Sequence, residues 1–540
     1  MTLPMTRRLL LPLAALCLGS AAGCVDLKEN PITGITSAYY GTPAGFDAAV
    51  NSMYFPVRTH WALERGSTMT VFGTDEFQKG ADGSYKFFND YTAQLNGDVD
   101  FIKNTWRDFY QGVNAANTVI DVAKTANVPD ATKSLRTGEA QFMRALYYFN
   151  LARTYGDVPL FTEPTAGVLT ETNRTPVADV YKQVIADLTA AIAVLPDKAA
   201  QYGRADKPAA QHLLAEVYLT RAAAGDFALA AAQAKAVVDN PRFKLLPNYK
   251  DLWVMGNEVN SEVVWAIQYT ADPLTNGGDD FGNKLHLYFG YPYDLEPGMV
   301  RDIANDRPFR RFRPTTWLLH LWDRTIDERY DDMFKVVWIS NNAGNIPKNA
   351  AGQPKFSVGD TAVYMPGLPT IPAAMRAATR YKLYGEDEYQ DAIFPVLNKY
   401  LDPTRTSTNQ EPGQRDHPMM RLANTYLMLA EALMRDGHPD QALPYVNAIR
   451  TRAAKPGKAA AMQVTAADLN LDFILDERAR ELTGETTRWF DLTRTHKLVE
   501  RVQKYNPGGA ANVKVTNELR PIPNNEILLS TGNMKQNPGY

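Results

Sequence analysis

The sequence predicts a mainly α protein. Antiparallel helix pairs, carried in two blocks of sequence, flank a loop-rich aromatic region with minor β structure. Three observations carry that expectation. Apolar residues recur at helical spacing over residues 100–238 and again over 419–504. From about residue 269 to residue 372, Gly, Pro, Asn and Asp interrupt every periodic run, as in Thr275-Asn276-Gly277-Gly278-Asp279-Asp280. Twelve aromatics fall between Phe281 and Trp338, where the chain average of 11% gives about six.

The N-terminus reads as an address. Arg7 and Arg8 precede the apolar run Leu9 to Leu18, and small residues lead to Cys24. This is the three-part layout of a secretory signal. The run is well short of the ~20 residues of a bilayer span. A Cys directly after Ala21-Ala22-Gly23 looks like a bacterial lipobox, with Ala21 where Leu is usual. Residues 1–23 are then a lipoprotein signal peptide and Cys24 is the lipidated residue. Several acyl chains on one residue anchor stably where one is marginal. An ordinary cleaved signal with a nearby Cys is the alternative.

Residues 25–60 read as a tether with turns at Asn30-Pro31 and Thr42-Pro43. The first helix spans residues 100–125, with Phe101, Trp106, Phe109, Tyr110, Val113 and Ile120 sharing a side. A second runs from Leu135 to Tyr155 and stops at Gly156-Asp157 with Pro159. Pro176 to Leu195, Pro208 to Ala224 and Phe227 to Val238 follow, the last ending at Asn240-Pro241. Short turns between long helices imply antiparallel neighbours. The tetratricopeptide spacing of large, small and glycine positions fits Leu429, Ala430, Leu433, Gly437, Ala442, Val446 and Ile449 without a gap. It fits Leu214, Ala215, Tyr218, Gly225 and Ala230 with three extra residues before the glycine. Generic helical hairpins remain the other reading of two such matches.

With 540 residues, the chain exceeds one typical core of about 100–200 residues. The segments are 1–23, 24–268, 269–372 and 373–540. A net charge of −3 offers no basic excess for a nucleic-acid backbone. The only cysteines, Cys17 and Cys24, exclude a disulfide framework and a cysteine nucleophile in the body. None of the seven histidines pair at metal-binding spacing, and no Walker loop, GxGxxG or GxSxG elbow occurs. No metal or cofactor is expected. Asp75-Glu76 and Asp279-Asp280 offer carboxylates for acid–base chemistry, but loop acids are usually only solvated. A calcium role for Asp279-Asp280 lacks EF-hand spacing. The run Asp476-Glu477-Arg478-Ala479-Arg480-Glu481, with Gly484-Glu485 and Arg488-Trp489-Phe490-Asp491-Leu492, reads as an ion-pair network rather than an active site.

These last residues resemble the ER…GE…RWFDL signature of the SusD/RagB family of outer-membrane nutrient-binding lipoproteins. Residues 421–432, Pro521-Ile522-Pro523 with Glu526-Ile527, and Gln536-Asn537-Pro538-Gly539-Tyr540 are similar to its last repeat and closing segment. Cys24 with Asp26-Leu27, the Thr74-Asp75-Glu76 stretch, and Arg144 through Pro159-Leu160 are similar too. The resemblance covers essentially the whole mature chain. It implies a right-handed tetratricopeptide-like helical superhelix with an irregular ligand-binding remainder. It also implies a SusC-type TonB-dependent β-barrel partner, an oligosaccharide or sometimes a peptide ligand, outer-membrane placement and no catalysis.

Sugars offer apolar C–H faces and polar rims, which aromatic platforms with Asp, Asn and Arg can bind. The candidates are Tyr288, Tyr291, Tyr293, Trp317 and Trp322, with Trp61 and Asp75 arriving from the N-terminal loops. Each aromatic alone is as well read as core. A glycan-degrading enzyme and a helical adaptor that binds only protein are the alternatives.

Overall fold

A computed structural model describes residues 37–270, 272–276 and 281–540. The signal segment, Cys24 and the Asp279-Asp280 pair lie outside the described residues. Helix α1 (Pro43–Ser52) starts under a cap: Thr42 Oγ1 accepts from the Gly45 N–H at 3.1 Å. The long helices are α2 (Asp100–Ala123), α3 (Asp130–Tyr155), α4 (Val177–Val194), α5 (Lys207–Arg221) and α6 (Asp226–Val238). The second block holds α7 (Leu422–Arg435), α8 (Pro439–Arg452), α9 (Leu471–Leu482), α10 (Arg488–Arg494) and α11 (Leu498–Tyr505). Helix α3 begins five residues before its first large apolar residue. Its opening turn is polar and exposed, so hydrophobic periodicity does not mark it.

Each helix from α2 to α6 packs on the next, and α6 then packs on α7. The two sequence blocks therefore close into one helical stack. The tetratricopeptide register is met by packing. Leu429, Ala430, Ala442, Val446 and Ile449 are buried, as are Leu214, Ala215, Tyr218 and Ala230. Small residues at 215, 230, 430 and 442 let paired backbones approach. Gly437 and Gly225 hold φ of +87° and +82°, the left-handed turns that only glycine makes cheaply. The three extra residues before Gly225 form a short turn in which Ala222 is also left-handed.

Short strands tie the rest to this stack: β1 (Phe77–Lys79), β2 (Val263–Ile267), β3 (Phe312–Pro314), β4 (Phe334–Lys335), β5 (Val337–Ile339), β6 (Thr361–Tyr364), β7 (Lys382–Leu383), β8 (Val396–Leu397) and β9 (His417–Arg421). Antiparallel pairs β1–β3, β2–β9 and β4–β8 each join distant parts of the chain, and β5–β6–β7 form the largest sheet. A main apolar core runs through helices and loops alike. A smaller one gathers Tyr291, Tyr293, Trp338, Phe356 and Met365. No helix among the described residues is long and apolar enough to cross a membrane.

The charged run at residues 476–491 is an interior ion-pair network. Glu477, Glu481 and Glu485 follow one another at four-residue spacing and are all buried. Arg329 reaches Asp327, Glu477 and Glu481 at 2.7, 2.8 and 3.2 Å. Arg421 reaches Glu262, Glu481 and Glu485 at 2.9, 3.1 and 2.7 Å. Burial works to raise the Glu477 carboxyl, but Arg329, Arg480 and Arg450 outweigh it and hold it well below the usual range.

His417 on β9 is 2% exposed, and neither ring nitrogen has a hydrogen-bond partner. Burial holds its imidazole down to about 4. Unfolded, it takes a proton near pH 6.5, so its neutral burial loses stability as pH falls from about 6.5 to about 4. A His417→Leu variant removes that dependence. Its stability relative to the parent should rise by about 3 kcal/mol between pH 7 and pH 4 in denaturant titrations. An unchanged difference at the two pH values would contradict the assignment.

Candidate functional site

The β1–β3 ribbon brings two loops together from opposite parts of the chain. Its pairing sets Phe77 against Pro314 and Lys79 against Phe312. The hydrogen bonding continues beyond the strands. Gly80 N–H donates to the Arg311 carbonyl at 3.0 Å and Asp82 N–H to that of Arg310 at 3.2 Å. On the other side, Phe309 and Arg311 N–H groups donate to the carbonyls of Leu287 and Tyr288 at 2.8 and 2.9 Å. Residues 80–82, 309–311 and 287–288 are thus held side by side. Arg310 carries a φ of +46°, an uncommon backbone state for a residue with a side chain.

Partly exposed rings crown this junction. Tyr85 stacks on Phe101, at the start of α2, with centroids 3.7 Å apart and planes 19° off parallel. Phe87 meets Tyr85 edge-on at 5.9 Å. Phe309 is flanked by the guanidinium groups of Arg307 and Arg311, at 4.9 and 5.3 Å from its centroid. Arg311 in turn ties Glu64 at 3.1 Å and Asp82 at 3.0 Å. Burial raises the Glu64 carboxyl above its usual range, with Arg311 opposing. Burial, then Asp100 and Glu64, push the Tyr85 hydroxyl up, so it remains a neutral donor.

Flat apolar faces beside Arg, Asp and Glu can grip a polyhydroxylated ring. Its C–H face lies on the aromatics, and its hydroxyl pairs meet the carboxylates and guanidinium forks. Among the described residues no cluster of three or more His, Cys, Asp or Glu is spaced to hold a metal ion. Gly83 sets this geometry. Its φ is +99°, and an added Cβ would sit 2.9 Å from Arg311 Cδ. Gly83→Ala should therefore displace Arg311 and weaken ligand binding by roughly tenfold, with stability lowered by about 1 kcal/mol or more because alanine is strained at that φ. Isothermal titration against the parent checks it.

The structure disperses the seven residues singled out from sequence. Trp61 is 1% exposed and stacks on Phe109 at 5.4 Å. Asp75 is fully buried and receives both arms of Arg488, at 2.7 and 2.5 Å. Tyr291 donates to Glu296 at 2.6 Å, and Tyr293 to the Asp306 carbonyl at 2.7 Å, inside the smaller core. Trp322 is buried against Tyr330 and Phe334. Tyr288 is buried too, but borders Phe309 at 6.4 Å and so underlies the platform. Trp317 alone of the seven keeps a partly exposed ring, stacked on Tyr505 at 4.8 Å near Arg488 and Arg501. Tyr85, Phe87 and Phe309 were not anticipated as site residues. The signal was the aromatic run Tyr85-Lys86-Phe87-Phe88 in a loop opened by Gly83.

Comparison with known proteins covers nearly the whole described chain. The sequence profile of the SusD family matches residues 261–540. A second profile, described as starch-binding and associating with the outer membrane, matches residues 39–219. A SusD-like protein of Formosa agariphila is 27% identical, across 96% of this chain and 97% of its own length. The starch-binding protein SusD of Bacteroides thetaiotaomicron is 25% identical, across 77% of this chain and 75% of its own. A solved laminarin-binding SusD-like protein superposes with a TM-score of 0.69 at 25% identity, covering 92% of this chain and all of that one.

Proposed function

The chain belongs to the SusD family, and from that premise we propose that it is a surface lipoprotein that captures oligosaccharide for a TonB-dependent transporter of the SusC type. It does so by binding alone, without catalysis. The observation that carries this reading is the platform of Tyr85, Phe87, Phe101 and Phe309 beside Arg311, Asp82 and Glu64. A platform of partly exposed rings suits a chain molecule whose sugars extend beyond the contact. The starch-binding and laminarin-binding relatives support a glucan as the ligand class, and peptide is the less favoured alternative. Lipidation at Cys24 would place the protein on the outer membrane, with the loop-rich segment 269–372 joining the helical segments 24–268 and 373–540. Trp317 stays in the proposal as a secondary contact, since its ring is partly open.

The test is electrophoresis of the purified protein through gels containing a panel of polysaccharides, with released reducing ends assayed in parallel. Retardation by one glycan with no product is expected. Product release would sink the non-catalytic reading in favour of a glycan-degrading enzyme. Silence across the panel would favour a peptide ligand or an adaptor role.

A further inference from the structure

We propose that the cavity between α2, residues 159–172 and the C-terminal segment 526–534 is a second saccharide site, one that takes a neutral pyranose. It encloses about 370 Å³. That falls within the ~300–1,000 Å³ of small-molecule sites. Trp106, Tyr110 and Asn114 are spaced four apart on α2 and so share a face. Trp106 and Tyr110 lie 5.0 Å apart at 45°, and Phe161 closes on Tyr110 at 6.0 Å. Trp106 is buried and forms the floor, while the partly exposed rings of Tyr110 and Phe161 form a corner that an apolar sugar face can enter. The polar groups at the rim are Gln111, which is exposed, Asn114, and Glu526.

The corner is built, not a gap between loose segments. Tyr110 donates to the Pro159 carbonyl at 2.7 Å, and Asn114 Oδ1 accepts from the Thr165 N–H at 2.8 Å. Thr172 and Ser530 hydroxyls meet at 2.9 Å, and Thr531 N–H donates to the Thr170 carbonyl at 2.8 Å. These bonds fix all three walls. Glu526 belongs to the closing segment that the platform does not use. Burial raises its carboxyl, with hydrogen bonds from the Asn525 and Trp106 side chains opposing. The cation of the lining, Arg107, is already held by Asp108 at 2.7 Å. An acidic sugar would thus meet the half-buried Glu526 carboxylate, whereas neutral hydroxyls find an acceptor in Glu526 and a donor in Gln111. Phe101, in the platform, and Asn114, in the cavity, are thirteen residues apart on α2, a rise of ~20 Å. The helical rotation of ~100° per residue sets them roughly 220° apart around the axis, so the two sites face different sides of α2 and bind separately.

This inference rests on the carbohydrate-binding reading, and the test separates the two. The probes are the methyl glycosides of glucose, galactose, mannose and xylose at millimolar concentration, followed by saturation-transfer NMR on the full chain. At least one should receive saturation in the Phe87→Ala variant, where the platform is impaired. That signal should drop at least fivefold on adding Phe161→Ala, and also on adding the exposed change Gln111→Ala, which cannot disturb the core. Methyl glucuronide should give none. Platform binding with no transfer sensitive to Phe161 or Gln111 overturns the second site alone. No transfer from any of the four neutral probes, with polysaccharide retardation intact, also overturns it. Absence of both retardation and transfer overturns the carbohydrate reading as well.

Discussion

Phe87→Ala and Phe309→Ala are each expected to weaken binding of the glycan identified by gel retardation by about thirtyfold. Both rings are partly exposed, so neither change opens a deep cavity. What each removes is a flat apolar face, and truncating an aromatic anchor at a binding surface typically costs about 2 kcal/mol or more. At 1.4 kcal/mol per factor of ten, that is about thirtyfold in affinity. Phe309 carries an added effect. Its ring contacts Arg307 and Arg311, so its loss also removes one support of the Arg311 guanidinium and leaves it to Glu64 and Asp82 alone. Val254→Ala, at a valine 51% exposed and outside both sites, is the control and should bind as the parent does. Isothermal titration with urea denaturation alongside separates lost binding from lost fold. Parent-like affinity in both phenylalanine variants would remove the platform from the account.

The helical scaffold was legible in the sequence because its signals are local. Apolar spacing on α2 to α6, the glycines at 225 and 437, and the small residues between paired helices each act within a few turns of chain. The structure buries the small residues and most of the apolar positions, and sets both glycines in left-handed turns. The site was not legible for the opposite reason. It is made where β1 meets β3, a pairing between residues more than 230 positions apart, and no local pattern announces a two-stranded ribbon of three residues a side. Aromatic density pointed to residues 281–338, and that density is mostly interior. Tyr291, Tyr293, Trp322 and Trp338 are there to fill irregular loops that lack helices to pack on. A ring such as Tyr85 or Phe87, in a loop opened by Gly83, stays partly exposed even where it packs on its neighbours. It is the better candidate for a surface platform.

Glu481→Ala should cost about 3–5 kcal/mol of folding stability, the range for breaking a buried ion pair from one side. Domains have only about 5–15 kcal/mol in all, so the loss is a large share of the total. Glu481 is fully buried and answers three arginines: Arg329 at 3.2 Å, Arg421 at 3.1 Å and Arg452. Removing it leaves those guanidinium groups, which stay charged, with fewer carboxylates than the interior was built to hold. Because no water reaches the pair, the penalty should be the same at low and high salt, unlike that of an exposed pair such as Lys124–Asp121. The neighbouring carboxylates add a pH signature. Burial would raise Glu477 and Glu485, yet their cationic partners hold both below the usual value. Such groups contribute stability above the unfolded carboxylate value, and it is lost as pH falls through their depressed folded values. The parent should therefore weaken in acid. Urea unfolding of parent and variant at two salt concentrations reads the effect, and a variant midpoint equal to the parent's would mean that the network contributes no net stability. Glycan affinity of the folded variant should be unchanged, because the network joins α9 to β9 and the short helix Arg329–Met333 while the platform stands on the β1–β3 ribbon. A fall in affinity without a fall in stability would instead mean that the network sets the ribbon's position, and would make the family's charged signature part of ligand capture.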